Sequence, residues 1–324
     1  MGEERAAVRT HFKRRRMKVS VIVSIYNGAD ILPVTIPPLL NQDYPAEQLE
    51  IILVDDASTD GTFELLENPE WRGKCQVIRH EENRGRTATR NSGVKAATGD
   101  LLIFTDCDIE VPTDFVSKHV NRYDDNQTVG VLSNLLPHST DLKDKYHRYL
   151  FEGKRGAKLA PEGKPLPFRY FIMTCTSIRK EAVEKTGLFN ENLPGYGIDL
   201  EYAYRLWRNY PDNLFYAPET EVKMHKLKTL DEALDNYQEF GEKNLPIILK
   251  EFPELAPFTG VDFVFTKQFT WKRIIGLLLI HNFNICIAKL KLKFVPFPMS
   301  NLFVRYLLVA SVCMGYKSYL RLHE

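Results

Sequence analysis

Three β-branched apolar runs, each ending in polar side chains and each separated from the next by a helical stretch, constrain this 324-residue chain more than any other feature. The first is Val19-Ser20-Val21-Ile22-Val23-Ser24-Ile25-Tyr26, closed by Asn27-Gly28. The second is Glu50-Ile51-Ile52-Leu53-Val54-Asp55-Asp56, and the third runs from Asp100 to Thr105 into Asp106-Cys107-Asp108. Short apolar runs bounded by turn residues read as buried strands. Helical patterns over 30–42, 62–67 and 86–97 and a short strand Gln76–Arg79 complete an alternation that forms a parallel α/β sheet. In such sheets ligands bind beyond the carboxyl ends of the strands, which is where the polar residues lie.

The pattern continues less regularly, with a strand expected over Gly130–Asn134, a helix over 141–157, a strand within Arg169–Ile178 and a helix over Asp199–Arg208. A strand at Leu214–Ala217 then precedes His225, and the chain reads as helical beyond Asp231. The expected organisation is a basic tail over 1–17, an α/β domain over 18–230 and a helical extension over 231–324. Within the extension, Ile274–Ile280 and Asn301–Gly315 are apolar but interrupted by polar residues. Both fall short of the roughly 20 apolar residues a spanning helix needs, so segments within 271–324 are expected to lie on a membrane surface or re-enter it.

Charge supports that division. Residues 1–18 carry seven Lys or Arg against two acids and residues 271–324 carry eight against one, which leaves 28 basic and 39 acidic side chains between them. An acidic body with two basic ends argues against a nucleic-acid groove and for ends that meet an anionic surface. Lys289, Lys291, Lys293 and Arg321 flank the apolar C-terminal runs, a composition that suits anionic lipid and equally a dimer interface. Five scattered cysteines without a Cys-x-x-Cys spacing fit a reducing compartment and no structural zinc. The first 17 residues hold no apolar stretch of signal-peptide length, so a cytoplasmic location is expected.

Asp106 and Asp108 are two apart at a strand end, so in an extended chain both carboxylates face one side. Two hard oxygen ligands suit Mg2+ or Mn2+, although a solvated acidic turn has the same sequence. Asp55-Asp56 ends an earlier strand and Ser24-Ile25-Tyr26 the first, so three strand ends define one crevice. Helix capping would explain Asp60 but not the doubled acid.

The succession of Val19–Asn27, Val54-Asp55-Asp56-Ala57-Ser58-Thr59-Asp60-Gly61, Asn83-Arg84-Gly85, Arg90-Asn91-Ser92-Gly93 and Asp106-Cys107-Asp108 resembles glycosyltransferase family 2 over residues 18–245. The resemblance implies a GT-A fold, a nucleotide-sugar donor, a divalent metal ion and inversion at the anomeric carbon, often at a membrane. It implies that Asp56 hydrogen-bonds the base, with Ser24 and Tyr26 in the same pocket. Arg84 and Arg90 would contact the donor, although a surface salt bridge is an alternative for Arg90. Asp106 would face the donor sugar or ribose, and Asp108 would hold the metal. The stretch Gly195-Tyr196-Gly197-Ile198-Asp199-Leu200-Glu201 is similar to the family's acceptor loop and acidic motif, with Ile198 where an acid usually stands. Asp199 becomes the expected general base, with N-capping as its alternative role and Glu201 in reserve. His225 matches a further metal position of related enzymes; as a lone histidine it could equally be a surface residue.

The expected function is therefore metal-dependent transfer of a sugar from a nucleotide donor, UDP by family preference, to a lipid-linked or glycan acceptor. The place expected is the inner face of the cell membrane, in surface polysaccharide or glycolipid synthesis, with homo-oligomer formation compatible. A degenerate transferase-like scaffold is the alternative, suggested by Ile198. A sugar-phosphate nucleotidyltransferase would need a basic Gly-rich loop after the first strand, where this chain has Tyr26-Asn27-Gly28-Ala29-Asp30.

Overall fold

The computed structural model describes residues 17–125, 127–265 and 280–323. The basic tail before Met17 and the apolar run 274–279 lie outside the described residues.

Eight strands among the described residues form one mixed sheet. They are β1 (Val19–Ile25), β2 (Leu49–Asp55), β3 (Gln76–Arg79), β4 (Leu101–Asp106), β5 (Ile109–Glu110), β6 (Gly130–Pro137), β7 (Thr176–Arg179) and β8 (Leu214–Met224). The order is β3-β2-β1-β4-β7-β6-β8-β5. β1 to β4 are mutually parallel, β7 runs antiparallel between β4 and β6, β8 is parallel to β6, and β5 is antiparallel to β8. β1 is buried along its whole length, as a near-continuous apolar run requires when both sheet faces are covered. The helix Gly85–Ala96 packs on β1 and β2, the α/β arrangement expected from the alternating pattern.

The first three strands fall within a residue or two of their expected places, and the later elements differ more. The helix expected over 30–42 is confined to Leu32–Leu40, with Pro33 in its first turn and Pro37 and Pro38 inside it; proline cannot donate to the helical ladder. The helix expected over 141–157 covers only Lys145–Phe151, opened by Asp144 accepting from the amides of Tyr146 and His147. β8 extends to Met224, because its outer half pairs with the end of β6 and with β5. The two residues of β5 carry no sequence period and were not expected.

The expected extension shares the main core. Phe240, Leu245, Ile248, Phe252, Val312 and Cys313 belong to the same buried cluster as Ile22, Phe104 and Tyr202. The helix Leu230–Glu239 starts in a capping box made by Thr229 and Glu232. It runs through a π-turn at Phe240–Asn244 into Leu245–Glu251. The final helix, Ser300–Leu322, crosses it closely. A Cβ on Gly315 would lie 1.9 Å from the Gln238 carbonyl oxygen, and one on Gly241 would lie 2.1 Å from that of Val312. The helix Asn282–Phe294 packs beside Ser300–Leu322. No helix of the described residues is long and apolar enough to cross a membrane.

Candidate functional site

The carboxyl ends of β1, β2 and β4 open into a cleft of about 640 Å³. Ser24, Tyr26, Asp56, Arg84, Asp106 and Asp108 all line it, together with Gly195 and Tyr196 from the far wall. The crevice expected from the strand ends is therefore formed.

The doubled acid after β2 divides its work. Asp55 accepts from the Ser58 amide and hydroxyl and faces the Arg79 guanidinium at 3.5 Å. Asp56 turns the other way and accepts the backbone N–H groups of Arg84 (2.9 Å) and Gly85 (2.8 Å). Its Oδ1 also lies 2.6 Å from His80 Nδ1. Asp56 thus fixes the turn that opens the helix Gly85–Ala96, satisfying amides a helix start leaves free. This presents Arg84 and Arg86 to the cleft. Arg84 reaches Glu191 at 3.0 Å.

Asp106 and Asp108 do not share an extended strand. β4 ends at Asp106, and the chain turns through Cys107 and Asp108 before β5. The Thr35 hydroxyl holds the turn by donating to the Cys107 carbonyl at 2.8 Å. Asp106 Oδ2 accepts from Thr174 at 3.1 Å, while its Oδ1 lies 3.6 Å from Arg90 Nη2 and 4.0 Å from Arg86 Nε. Burial, reinforced by the neighbouring Asp106 charge, pushes the Asp108 carboxyl up to about 6. Asp106, against an opposing effect of burial, raises the Arg86 guanidinium above its usual range.

Arg90 is not a wall of the cleft. It is 1% exposed and donates through Nη1 to Asp199 Oδ1 at 3.0 Å. Its aliphatic stem carries the charge under the cleft floor, where it links two acids from distant parts of the chain.

On the far wall Gly197 begins the helix Ile198–Asn209 at φ +84°, and a Cβ there would lie 2.1 Å from the Phe240 ring. Only glycine meets both constraints. The Asn244 side chain donates to the Tyr196 carbonyl at 2.7 Å and steadies the loop. Tyr196 packs on Tyr237 with ring centroids 5.0 Å apart; burial and that neighbour push its phenol well above the usual range. Ile198 is 4% exposed and belongs to the main apolar core, so burial accounts for the absence of an acid there. Asp199 lies in the first turn with its carboxylate partly exposed. Glu201 points elsewhere: it is buried and held by Arg205 at 2.6 and 3.1 Å. Arg205 also ties down the Thr186 and Leu188 carbonyls, so Glu201 anchors the helix; from the start of this helix Ile198 lines the cleft, while Asp199 does not and is held from below by Arg90.

His225 follows β8, its amide bonded to the Asp108 carbonyl at 3.0 Å. Its ring nitrogen Nε2 lies 2.8 Å from Glu110, with His138 stacked on the imidazole. Sequence reasoning singled out neither Glu110 nor His138. It also missed Thr174, Arg86, Lys226 and Lys228. Arg86 stood in the quoted Asn83-Arg84-Gly85 neighbourhood, whereas Thr174 carries no sequence signal because a distant loop delivers it. Lys226 bonds Asp30 at 2.7 Å. Burial, with Arg86 nearby, lowers the Lys228 ammonium, which lies 5.7 Å from the Tyr196 ring centre.

Comparison with known proteins agrees with this architecture. The chain is 31% identical over 274 residues to a poly(ribitol-phosphate) beta-glucosyltransferase of Bacillus spizizenii, covering 74% of this chain and 43% of that protein. It spans 60% and 43% of the lengths of two of the curated relatives it matches. A mannosyltransferase of Pyrobaculum calidifontis, solved with GDP-Man and Mn2+, superposes with a TM-score of 0.60 at 17% identity, covering 94% of this chain and 88% of that one. S. aureus TarS 1–349, solved with UDP-GlcNAc, gives 0.56 at 18% identity, covering 94% and 92%. These likenesses establish the GT-A fold. The glycosyl transferase family 2 model matches residues 20–187, more than half of the chain, and the protein belongs to that family.

Proposed function

We propose that the chain transfers a sugar from a nucleoside diphosphate, UDP by preference, to a hydroxyl of a lipid-linked or glycan acceptor, with inversion at the anomeric carbon. One observation carries the reading. Ser24 Oγ is buried without a hydrogen-bond partner, on a residue that walls the cleft beside the raised carboxyl of Asp108. Buried polar groups are almost always paired, which supports a polar ligand at this strand end; Asp106 Oδ1 beside it makes no hydrogen bond and is balanced by Arg90 and Arg86 at 3.6 and 4.0 Å. The named activity of the Bacillus spizizenii relative on poly(ribitol-phosphate), and the GDP-Man and UDP-GlcNAc bound in the two similar structures, support the same reading.

Residues 18–230 would hold the donor, with Ser24, Tyr26 and Asp56 at the nucleoside and Arg84, Arg86 and Lys228 near the phosphates. The Asp108 carboxyl fits a divalent cation, being a hard oxygen on the cleft wall next to a second acid. Mn2+ or Mg2+ there, with Asp106 alongside, would supply Lewis-acid neutralisation of the departing diphosphate. Asp199 is the base. Its Oδ1 is occupied by Arg90, which leaves Oδ2 to take the acceptor hydroxyl proton. As that proton moves, the acceptor oxygen bonds the anomeric carbon and the bond from that carbon to the phosphate oxygen breaks. Tyr196 and Gly195 wall the acceptor side.

The protein works at the cytoplasmic face of a membrane in this reading. Phe294, Met299 and Leu302 are 78%, 68% and 70% exposed around the turn joining the last two helices, flanked by exposed Lys291, Lys293 and Arg305. Apolar wedges beside cations suit an anionic lipid surface.

A thermal-shift panel of UDP, GDP, dTDP and CMP with and without Mn2+, on the intact chain and on Asp108→Asn, tests the reading. A nucleotide at a hundred times its Kd adds about 2.7 kcal/mol. The expected result is metal-dependent stabilisation by one nucleotide diphosphate, lost in Asp108→Asn. No stabilisation of the folded protein by any of the four would replace it with the scaffold reading.

A further inference from the structure

The ring of His80 is buried behind Asp56, its side chain 5% exposed. His80 follows β3, and its backbone N–H donates to the Asp55 carbonyl at 2.9 Å. Its ring bridges two elements: Nδ1 lies 2.6 Å from Asp56 Oδ1, and Nε2 lies 2.8 Å from the hydroxyl of Ser92 on the helix Gly85–Ala96. A carboxylate only accepts, so Nδ1 carries the proton, and in the neutral ring Nε2 accepts from Ser92. Serine, histidine and aspartate stand in the order of a hydrolytic triad. The member on the cleft is the acid, however: Asp56 lines it, and among the described residues Ser92 and His80 do not. The relay therefore acts on the carboxylate.

A carboxylate offers about four lone-pair positions. Oδ1 of Asp56 receives the His80 ring N–H and the Arg84 amide, and Oδ2 receives the Gly85 amide. Among the described residues that leaves one acceptor position, on Oδ2. Arg84 and Gly85 are neighbours, so their amides alone would let the carboxylate rock about the line joining them. The His80 bond comes from the end of β3 and stops that motion. A single fixed acceptor matches a base edge with one N–H between two carbonyls, as in uracil or thymine. It opposes the cytosine edge, whose N3 is itself an acceptor, and a site built to bond a donor rejects an analogue that lacks it. We propose that His80, backed by Ser92, is a positioning residue that sets base selectivity by fixing Asp56 as a single acceptor. This rests on the nucleotide-sugar donor proposed above, with its base at Asp56.

Calorimetric titration of UDP and of CDP, each with Mn2+, into the full chain and into His80→Leu, His80→Asn and Ser92→Ala tests the assignment. Phosphate, ribose and metal contacts are common to the two nucleotides and cancel in the ratio of their Kd values. The wild type is expected to bind UDP at least about tenfold more tightly than CDP, and His80→Leu to lose most of that preference. Ser92→Ala should lose part of it. His80→Asn should keep it, because its side-chain amide donates from the place of Nδ1. A merely structural role would lower the melting temperature and weaken both nucleotides alike, with the ratio unmoved. Circular dichroism checks folding, and Ser92→Ala carries the test if His80→Leu does not fold. A wild-type ratio in the folded variants would overturn the proposal and leave the transferase reading standing, since UDP still binds. Equal binding of UDP and CDP by the wild type would also overturn it. Binding of neither nucleotide nor of any in the panel above would remove the donor reading and the role of His80 with it.

Discussion

Arg90 and Asp199 are joined at 3.0 Å across 109 positions of sequence, with the arginine 1% exposed beneath the cleft. Asp106 faces the other end of the same guanidinium at 3.6 Å. The positive charge is buried between two acids, each of which the proposed chemistry places at the reacting groups. Removing one member of a buried pair leaves an uncompensated charge and costs about 3–5 kcal/mol. Arg90→Met is therefore expected to lower stability in urea by about that amount. Arg90→Lys keeps the charge without the planar fork; it is expected to lower kcat more than it lowers stability, measured by melting and sugar transfer on one preparation.

Asp199 and Glu201 separate by role. Asp199→Asn should reduce turnover by about 10²–10⁴-fold, the range of general-base contributions, with the fold intact. Glu201→Gln should retain most turnover and instead lower the melting temperature, because Arg205 loses its carboxylate. Equal loss of turnover in the two variants would contradict this assignment.

His119 sets an acid limit on stability. It is buried between the Ser133 and Ser177 hydroxyls at 2.8 Å each, and burial pushes its imidazole down to about 3 from an ordinary 6.5. Between those values the unfolded chain binds a proton that the folded chain does not, so stability falls as pH drops below about 6.5. One proton contributes at most about 1.4 kcal/mol per pH unit. His119→Gln should be less stable than the wild type at pH 7.5, and that deficit should shrink by about 2 kcal/mol at pH 5, in urea titrations at both pH values.

The crossing of the last helix has no room for a methyl group. Gly315→Ala must push the helix away from the Gln238 carbonyl, 1.9 Å from the added Cβ. Overpacking of this kind costs about 1–3 kcal/mol. Since the helix shares the main core, one cooperative transition with a lower midpoint is expected in place of separate melting of the C-terminal part.

Membrane contact through residues 291–302 predicts salt-sensitive binding. Each Lys near an anionic surface contributes about 1 kcal/mol. Reversing two charges in Lys291→Glu with Lys293→Glu should reduce sedimentation with phosphatidylserine vesicles by more than tenfold. Phe294→Ser should weaken it at all ionic strengths. Unchanged binding by both variants would remove the membrane from the reading.

The strands and the crevice were legible because their information is local. Val19–Ile25 and Leu49–Asp55 announce themselves by short runs rich in Val and Ile, and the polar residues that end them must collect at one edge of a parallel sheet. The turn into the helix Ile198–Asn209 is likewise local, with Gly195 and Gly197 both at positive φ. Glycine at a helix entry with a left-handed backbone is a local requirement.

What the sequence by itself determined was therefore the parallel part of the sheet, β1 to β4, and the polar residues that collect at its strand ends. Tertiary structure alone decided which of those side chains face the cleft. Arg90 and Glu201 carry charges that read as site chemistry, yet each is buried against partners: Arg90 against Asp199 far along the chain, Glu201 against Arg205 one helical turn away. Glu110 and His138 drew no attention because neither has a local pattern. They meet His225 only because β6, β8 and β5 end side by side. Periodicity records which face of an element is apolar; which charge finds which partner depends on contacts between elements, and no local pattern encodes those.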